Sequence, residues 1–214
     1  MDELKTALEA LGEGRIILVH DGGKRENEID LVVNAIHVRP ETIRQLRNDA
    51  GGLICLAISR DIADELGLPF MTDLMEASGN ETLKDLTPEK TPYGDRPAFS
   101  IAINHKDTFT GITDNDRALT IGSFGQLSQK DDKTSFTKDY YAPGHVPLLI
   151  AKDIGERRGH TELSIELAKR AGLPETMVLC EMMCDDCNAL SREDAKEYAQ
   201  KHGLAFLDGS VLYD

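Results

Sequence analysis

The sequence predicts a mixed β-sheet with helices packed on it, a layered α+β or α/β fold in one domain. Three observations lead there. Apolar, β-branched runs of strand length alternate along the chain with segments of helical period. The first two runs flank a Gly-Gly turn, which makes them a hairpin instead of a parallel crossover. No repeat and no Pro/Ser/Gly linker divides the 214 residues.

The elements follow in order. Leu4, Leu8 and Leu11 form one stripe of a helix over 2–12, stopped by Gly12 and Gly14. RIILV at 15–19 is a strand, DGGK at 21–24 a turn, and ENEIDLVVNA the returning strand, giving a hairpin over 15–35. Pro40 opens a helix that ends near Gly51-Gly52, LICLAI at 53–58 is a buried strand, and a helix from Asp61 to Leu66 closes at Gly67. From about 69 to 97 the signals fade into an irregular loop or lid. FSIAINH alternates as a strand, and a helix follows with Asp114 or Asn115 as its N-cap. The stretch 128–143 is polar and irregular. VPLLIAK is a strand, RRGH a tight turn, and TELSIELAKRAG a helix with Thr161 as N-cap and Gly172 at its end. TMVLCEMM, SREDAKEYAQKHG and LAFLDG complete the chain as strand, helix and strand.

Composition narrows the partners. There are 24 Lys+Arg against 38 Asp+Glu, a formal net charge of −14. Such a surface repels nucleic-acid phosphate and anionic lipid, although a local basic pocket could still take a small phosphorylated ligand. No apolar run approaches the roughly 20 residues that cross a bilayer. The acidic, amphipathic opening is the reverse of a secretory or transit signal, so no membrane partner is expected. Three of the four cysteines crowd together at 180, 184 and 187, which is no disulfide framework and makes a reducing cytoplasm the expected compartment.

Six segments carry candidate chemistry. In Arg25-Glu26-Asn27-Glu28-Ile29-Asp30, strand alternation would put Glu26, Glu28 and Asp30 on one face, where a hard divalent cation would relieve their repulsion. A solvated acidic strand end would read the same way. Arg157-Arg158-Gly159-His160-Thr161 sits at a strand–helix junction, where free N–H groups and a guanidinium suit phosphate and His160 could be a ligand or an acid–base group. His145 stands in the Pro-Gly-His-Val-Pro turn, and Glu181 ends an apolar strand where a carboxylate needs a partner or a tuned pKa. Thr110 to Arg117, with Thr113 inside, offers hydroxyls to a sugar or simply caps a helix. The Cys180-x3-Cys184-x2-Cys187 spacing matches iron–sulfur radical enzymes, but it lies too near the end of the chain and begins inside a buried strand.

The order of RENEIDLV, DAGGLICLAI, FTGITDNDRALTI, PGHVPLL, RRGHTELSIELAKRAG and VLCEMMCDDCNAL resembles 3,4-dihydroxy-2-butanone 4-phosphate synthase from about Leu11 to Ala205. The resemblance implies an α+β fold, a three-layer mixed sheet with helices on both faces. It implies a carbon–carbon lyase of riboflavin biosynthesis, in stand-alone form, that converts ribulose 5-phosphate into the four-carbon phosphate and formate. It further implies Mg²⁺ (or Mn²⁺), two ions per site, and a homodimer with the site near the subunit interface. Carried over by position, Glu26, Glu28 and His160 would form the metal site. Arg25, Glu26, Asp30, Thr113, Arg157, Arg158, Gly159, His160, Thr161 and Glu181 would bind substrate, and His145, Glu181, Asp30 and Cys55 would be catalytic. This chain departs from the family at Ile29 and Cys187, both glycine in the usual pattern, and in a longer 128–143 segment. A non-catalytic sugar-phosphate sensor on the same scaffold is the alternative from another class; binding without turnover would mark it.

Overall fold

Among the described residues, seven strands form one mixed sheet, in which the spatial order is the fourth, fifth, third, sixth, second, first and seventh strand of the chain. A computed structural model describes residues 3–23, 25–130 and 133–213. Asp2, Lys24, Asp131 and Asp132, which the readings above include, lie outside the described residues. The strands are β1 Ile17–His20, β2 Ile29–Asn34, β3 Cys55–Ile58, β4 Phe99–His105, β5 Tyr140–Ile150, β6 Thr176–Glu181 and β7 Ala205–Asp208. The helices are α1 Glu3–Gly12, α2 Pro40–Gln45, α3 Arg60–Leu66, α4 Met71–Ala77, α5 Glu81–Leu86, α6 Asp114–Leu127, α7 Phe136–Asp139, α8 His160–Ala171 and α9 Arg192–His202.

The hairpin forms as expected: β1 and β2 are antiparallel, with Ile17 opposite Val32 and His20 opposite Ile29. β2 then pairs antiparallel with β6, while β1–β7 and β3–β5 are parallel. β1, β2 and β3 are buried on both faces, because helices cover both sides of the sheet. On one side Ala7, Ala10 and Leu11 of α1 and Leu163, Leu167 and Ala168 of α8 pack on Ile17, Val19, Val32, Ala57 and Leu179. On the other, Ile43 of α2, Ile121 and Phe124 of α6 and Ala195 of α9 pack on Leu18, Leu31, Leu56 and Val178. The result is the three-layer α+β arrangement.

Several boundaries differ from the sequence reading, each for a local reason. β2 starts at Ile29 and not at Glu26, because Asn27 turns into the left-handed region (φ 58) and breaks the extended run. The segment 69–97 is not a bare loop: it holds α4 and α5. α5 has no buried residue and is held by its Asn80 cap, so it carries no apolar stripe for periodicity to find. β5 begins at Tyr140, well before Val146, where the apolar VPLLIAK run sets in. Its first residues therefore fall within the stretch expected to be irregular, where pairing with β4 and not local apolar pattern makes the strand.

The caps move too. Thr113, not Asp114 or Asn115, caps α6 by accepting from the Asp116 N–H, and Gly159, not Thr161, precedes α8. The helix from Pro40 runs on through a π-helical turn, Leu46–Ala50, and stops at Gly51 (φ 85). Cys187 takes φ 72, the left-handed backbone that the family's glycine would favour.

Candidate active site

Strand ends and one helix start meet in a cavity of about 190 Å³. Arg25, Glu26, Glu28, Asp30, Cys55, Arg157, His160, Thr161 and Glu181 all line it. The register explains part of this convergence. Asp30 of β2 lies directly opposite Glu181 of β6, and Cys55 of β3 pairs with Leu179, earlier on the same β6. α8 begins at His160, and its first turn closes the cavity from the side.

His160 is held at both ends. Its Nε2 donates to the Val19 carbonyl at 3.1 Å, which leaves Nδ1 facing Asp30 at 3.6 Å and Glu26 at 3.9 Å. Burial alone would lower the His160 pKa, but Asp30, Glu26 and Asp21 outweigh it and raise the pKa to about 9. For Glu26, burial acts upward, while the neighbouring His160 imidazole and the Arg25 guanidinium bring it down to about 2. Asp30 goes the other way. Burial, with the Glu181, Glu28 and Glu26 charges adding, pushes it up to about 7 against the pull of His160. Its Oδ1 is buried without a hydrogen-bond partner. Burial and the nearby Glu181 and Asp30 carboxylates push the Cys55 thiol far up, so it stays protonated.

The sequence reading missed three residues. Asp21 is buried; its carboxylate accepts from the backbone N–H groups of Glu26 (2.9 Å) and Asn27 (3.2 Å), folding the loop after β1 back on itself. Ligand atoms of Asp21, Glu26 and His160 all lie within 4.8 Å of one another. Glu28 lines the cavity but is not in that group, since the left-handed Asn27 interrupts the alternation that would have set it beside Glu26. Tyr93 lines the same cavity as Glu26 and lies under the Arg25 guanidinium at 4.4 Å. Asp95 accepts from Arg25 Nε at 2.7 Å and stands 3.8 Å from Arg157 Nε, so the 91–98 segment is pinned over the cavity. An aspartate beside a Gly-Gly turn was a usable signal for Asp21; nothing local marked Tyr93 or Asp95.

Close packing fixes two more positions. A Cβ on Gly52 would lie 2.4 Å from Glu181 Oε2, the oxygen that accepts from the Leu53 N–H at 2.8 Å. A Cβ on Gly159 would meet the Arg25 guanidinium at 2.9 Å. Arg157 itself is buried and paired with the buried Glu162 at 3.3 Å. Arg158 is exposed, stacks over Tyr213 at 4.5 Å, and lines an adjoining cavity of about 400 Å³ that shares Arg25, Tyr93 and Arg157 with the first. A further cavity of about 420 Å³ around Ser59, Arg60, Lys152 and Lys169 contains none of the candidate residues.

His145 and Thr113 are not among the residues lining the cavity. His145 is exposed on an excursion of β5 between Tyr141 and Val146, where the pairing jumps from Ile103–Val146 to Asn104–Tyr141. Asn104 grips it, accepting from the His145 N–H at 2.8 Å and meeting Nδ1 at 3.1 Å. Gly144 lets the two strands touch; its Cβ would fall 2.0 Å from the Ile103 carbonyl carbon. Gly111, just before Thr113, packs against the same Asn104. The three clustered cysteines do not gather either: Cys180 is buried with its Sγ on the Leu46 carbonyl, whereas Cys187 is exposed. Among the described residues the group of Asp21, Glu26 and His160 is the one that brings three metal-ligating side chains together.

Residues 5–214 match the family model described as 3,4-dihydroxy-2-butanone 4-phosphate synthase. A relative of that name from Methanothermobacter thermautotrophicus is 50% identical over 216 residues, spanning 99% of this chain and 94% of its own. The solved synthase of Candida albicans is 29% identical with a TM-score of 0.77, covering 98% of this chain and 95% of that one. A solved synthase in complex with two magnesium ions is 25% identical with a TM-score of 0.81, covering 98% and 94%. With its fold matched from end to end and half its residues shared with one relative, the chain belongs to the 3,4-dihydroxy-2-butanone 4-phosphate synthase family.

Proposed function

We propose that this chain converts D-ribulose 5-phosphate into L-3,4-dihydroxy-2-butanone 4-phosphate and formate, as one catalytic domain. The observation that carries the reading is the convergence of Glu26, Asp30, His160 and Glu181, from separate loops, strand ends and a helix start, on one cavity with two guanidinium groups at its edge. The cavity supplies both things such a substrate needs, cationic partners for the phosphate and closely spaced acid–base groups for the sugar.

The donor set fits a hard divalent cation: carboxylates and one imidazole, beside a buried Asp30 oxygen with no hydrogen-bond partner. Glu26 and His160 would hold it, with Asp21 and Glu28 as further carboxylates, and we propose two ions, Mg²⁺ or Mn²⁺, per site. When bound, the metal would supply Lewis-acid polarisation of the sugar's ketone and hydroxyl oxygens. The Val19 carbonyl fixes His160 with its proton on Nε2, so Nδ1 is the atom free to ligate once it has lost its own proton.

The rest is the work of protein groups. Arg157 and the free N–H groups at the start of α8 would take the phosphate, with Arg25 and Thr161 at its side. Asp30, poised near neutrality, would accept the proton from the carbon beside the ketone, and Glu181 would return protons during loss of the C1 hydroxyl and the skeletal shift that expels C4 as formate. Tyr93 and Asp95 would keep the 91–98 segment over the cavity and water away from the enediol.

His145 and Thr113 would reach this chemistry from a second copy of the chain, in a homodimer with the site at the interface. Exposed apolar side chains support that reading: Phe109 is 96% exposed and Ile112 50% exposed, next to Thr113, and Tyr141 beside the His145 excursion is 42% exposed. Incubating the purified protein with ribulose 5-phosphate, with and without EDTA, and assaying formate tests the proposal. Metal-dependent formate release is expected; none at any Mg²⁺ or Mn²⁺ concentration would refute it.

A further inference from the structure

The cysteine-rich turn after β6 has no part in the site described above, yet its geometry is that of a closable dithiol. The Cys187 N–H donates to the Cys184 carbonyl at 3.1 Å, which makes Cys184-Asp185-Asp186-Cys187 a hydrogen-bonded turn with the cysteines at its two ends. Such a turn holds its end Cα atoms within about 7 Å, and a disulfide spans about 4.4–6.8 Å between Cα atoms. The turn is the tip of a small hairpin: Met183 bridges Ala189, and the Cys184 N–H donates to the Asn188 carbonyl at 2.8 Å. Its base is anchored to the sheet, with Met182 N–H on the Ile29 carbonyl at 2.8 Å and Met183 N–H on the Ala50 carbonyl at 2.7 Å.

We propose that Cys184 and Cys187 form a redox-active pair that closes to a disulfide within the turn by exchange with a small or protein disulfide. Both thiols are free, Cys187 is exposed and Cys184 is half-buried. The exposed Cys187 thiolate attacks one sulfur of the incoming disulfide, forming a mixed disulfide and releasing one thiol. The Cys184 thiolate then attacks the Cys187 sulfur and releases the second. Two protons and two electrons leave the protein, and the external disulfide ends as two thiols. The other cysteines cannot compete, because Cys55 and Cys180 are buried in the core and both thiols are pushed up by that burial.

Asp186 steadies the turn between the two cysteines: its carboxylate accepts from the Asn188 N–H at 2.9 Å. A metal knuckle would use the same two sulfurs, but no third ligand from the described residues joins them. Within the protein, closure therefore needs only the two sulfurs of the turn, and the external disulfide takes up the electrons.

The experiment equilibrates the native protein in buffers of graded oxidised-to-reduced glutathione ratio, quenches with acid, alkylates and maps the peptides. One internal link between Cys184 and Cys187 is expected, with a mass about 2 Da below the reduced form, while Cys55 and Cys180 are alkylated only after denaturation. C184S should leave a lasting glutathione adduct on Cys187, because the resolving sulfur is gone; C187S should abolish both link and adduct. Thiols that stay reduced at every ratio, a wild-type protein that accumulates only the Cys187 adduct or links between chains, or zinc that co-purifies and shields both sulfurs, would each overturn the proposal.

Discussion

At the residue scale, the decisive unit is the His160 imidazole between Asp30, Glu26 and Asp21. Its pKa stands near 9 against an ordinary 6.5, so the stability it contributes is complete below pH 6.5 and disappears as pH climbs through 9. Asp30 acts in the same sense over a lower window. Its pKa is raised from 3.8 to about 7, which penalises the folded state progressively as pH rises from about 4 to 7. Glu26, held near 2, opposes neither trend, because its contribution is lost only in acid. The metal-free protein should therefore melt at steadily lower temperature from about pH 5 to pH 9. A divalent ion bound through His160 Nδ1, as proposed above, must displace its proton, so Mg²⁺ affinity should rise with pH over the upper part of that range, by up to about tenfold per unit. Melting scans in EDTA and in Mg²⁺ across this range provide the check, and His160→Gln should flatten both slopes above pH 6.5. A metal-free melting temperature that rises between pH 6.5 and 9 would contradict the assigned electrostatics.

At the element scale, sequence pattern marked what periodicity and capping chemistry can mark. The 15–35 hairpin and the helix closed by Gly172 carry strong local signals and form, and the strand expected over 53–58 forms as the shorter Cys55–Ile58, with Leu53 exposed before it. The start of β2, the helices α4 and α5 and the cap of α8 were not legible. Asn27 can adopt either backbone region, α5 buries nothing, and Gly159 offers no side chain to announce a cap. The site was legible as a set of residues in RENEID and RRGHT, whereas Tyr93 and Asp95 reach it only through long-range contacts. The turn before α8 depends instead on a buried carboxylate of that helix's own first turn. Buried Glu162 accepts from the Gly159 N–H at 3.2 Å, the Lys152 N–H at 3.0 Å and Arg157 Nη1 at 3.3 Å, tying three points of the strand–helix junction together. Glu162→Gln keeps the size but leaves the Arg157 charge without its buried partner, and should destabilise the protein by about 3 kcal/mol. Urea unfolding at pH 7 measures this; a loss below about 0.5 kcal/mol would mean that the junction is held by packing alone.

At the scale of the whole molecule, the two faces of the proposed chemistry lie on different parts of one chain. Glu26, Asp30, His160 and Glu181 share a cavity, while His145 and Thr113 sit outside it, on the β5 excursion and at the cap of α6. A twofold pairing that lays one chain's His145 against its partner's cavity would unite them, because an isologous interface makes every such contact twice. Subunit mixing tests this directly. Glu26→Ala and His145→Ala should each be inactive as pure proteins. After equal amounts are mixed and allowed to exchange chains, half the dimers are hybrids. Each hybrid has one site carrying both changes and one carrying neither, so the mixture should recover about a quarter of the wild-type formate release. Recovery requires that Glu26 and His145 of one site come from different chains. If each chain used its own His145, every site in every hybrid would contain one defect, and mixing would restore nothing.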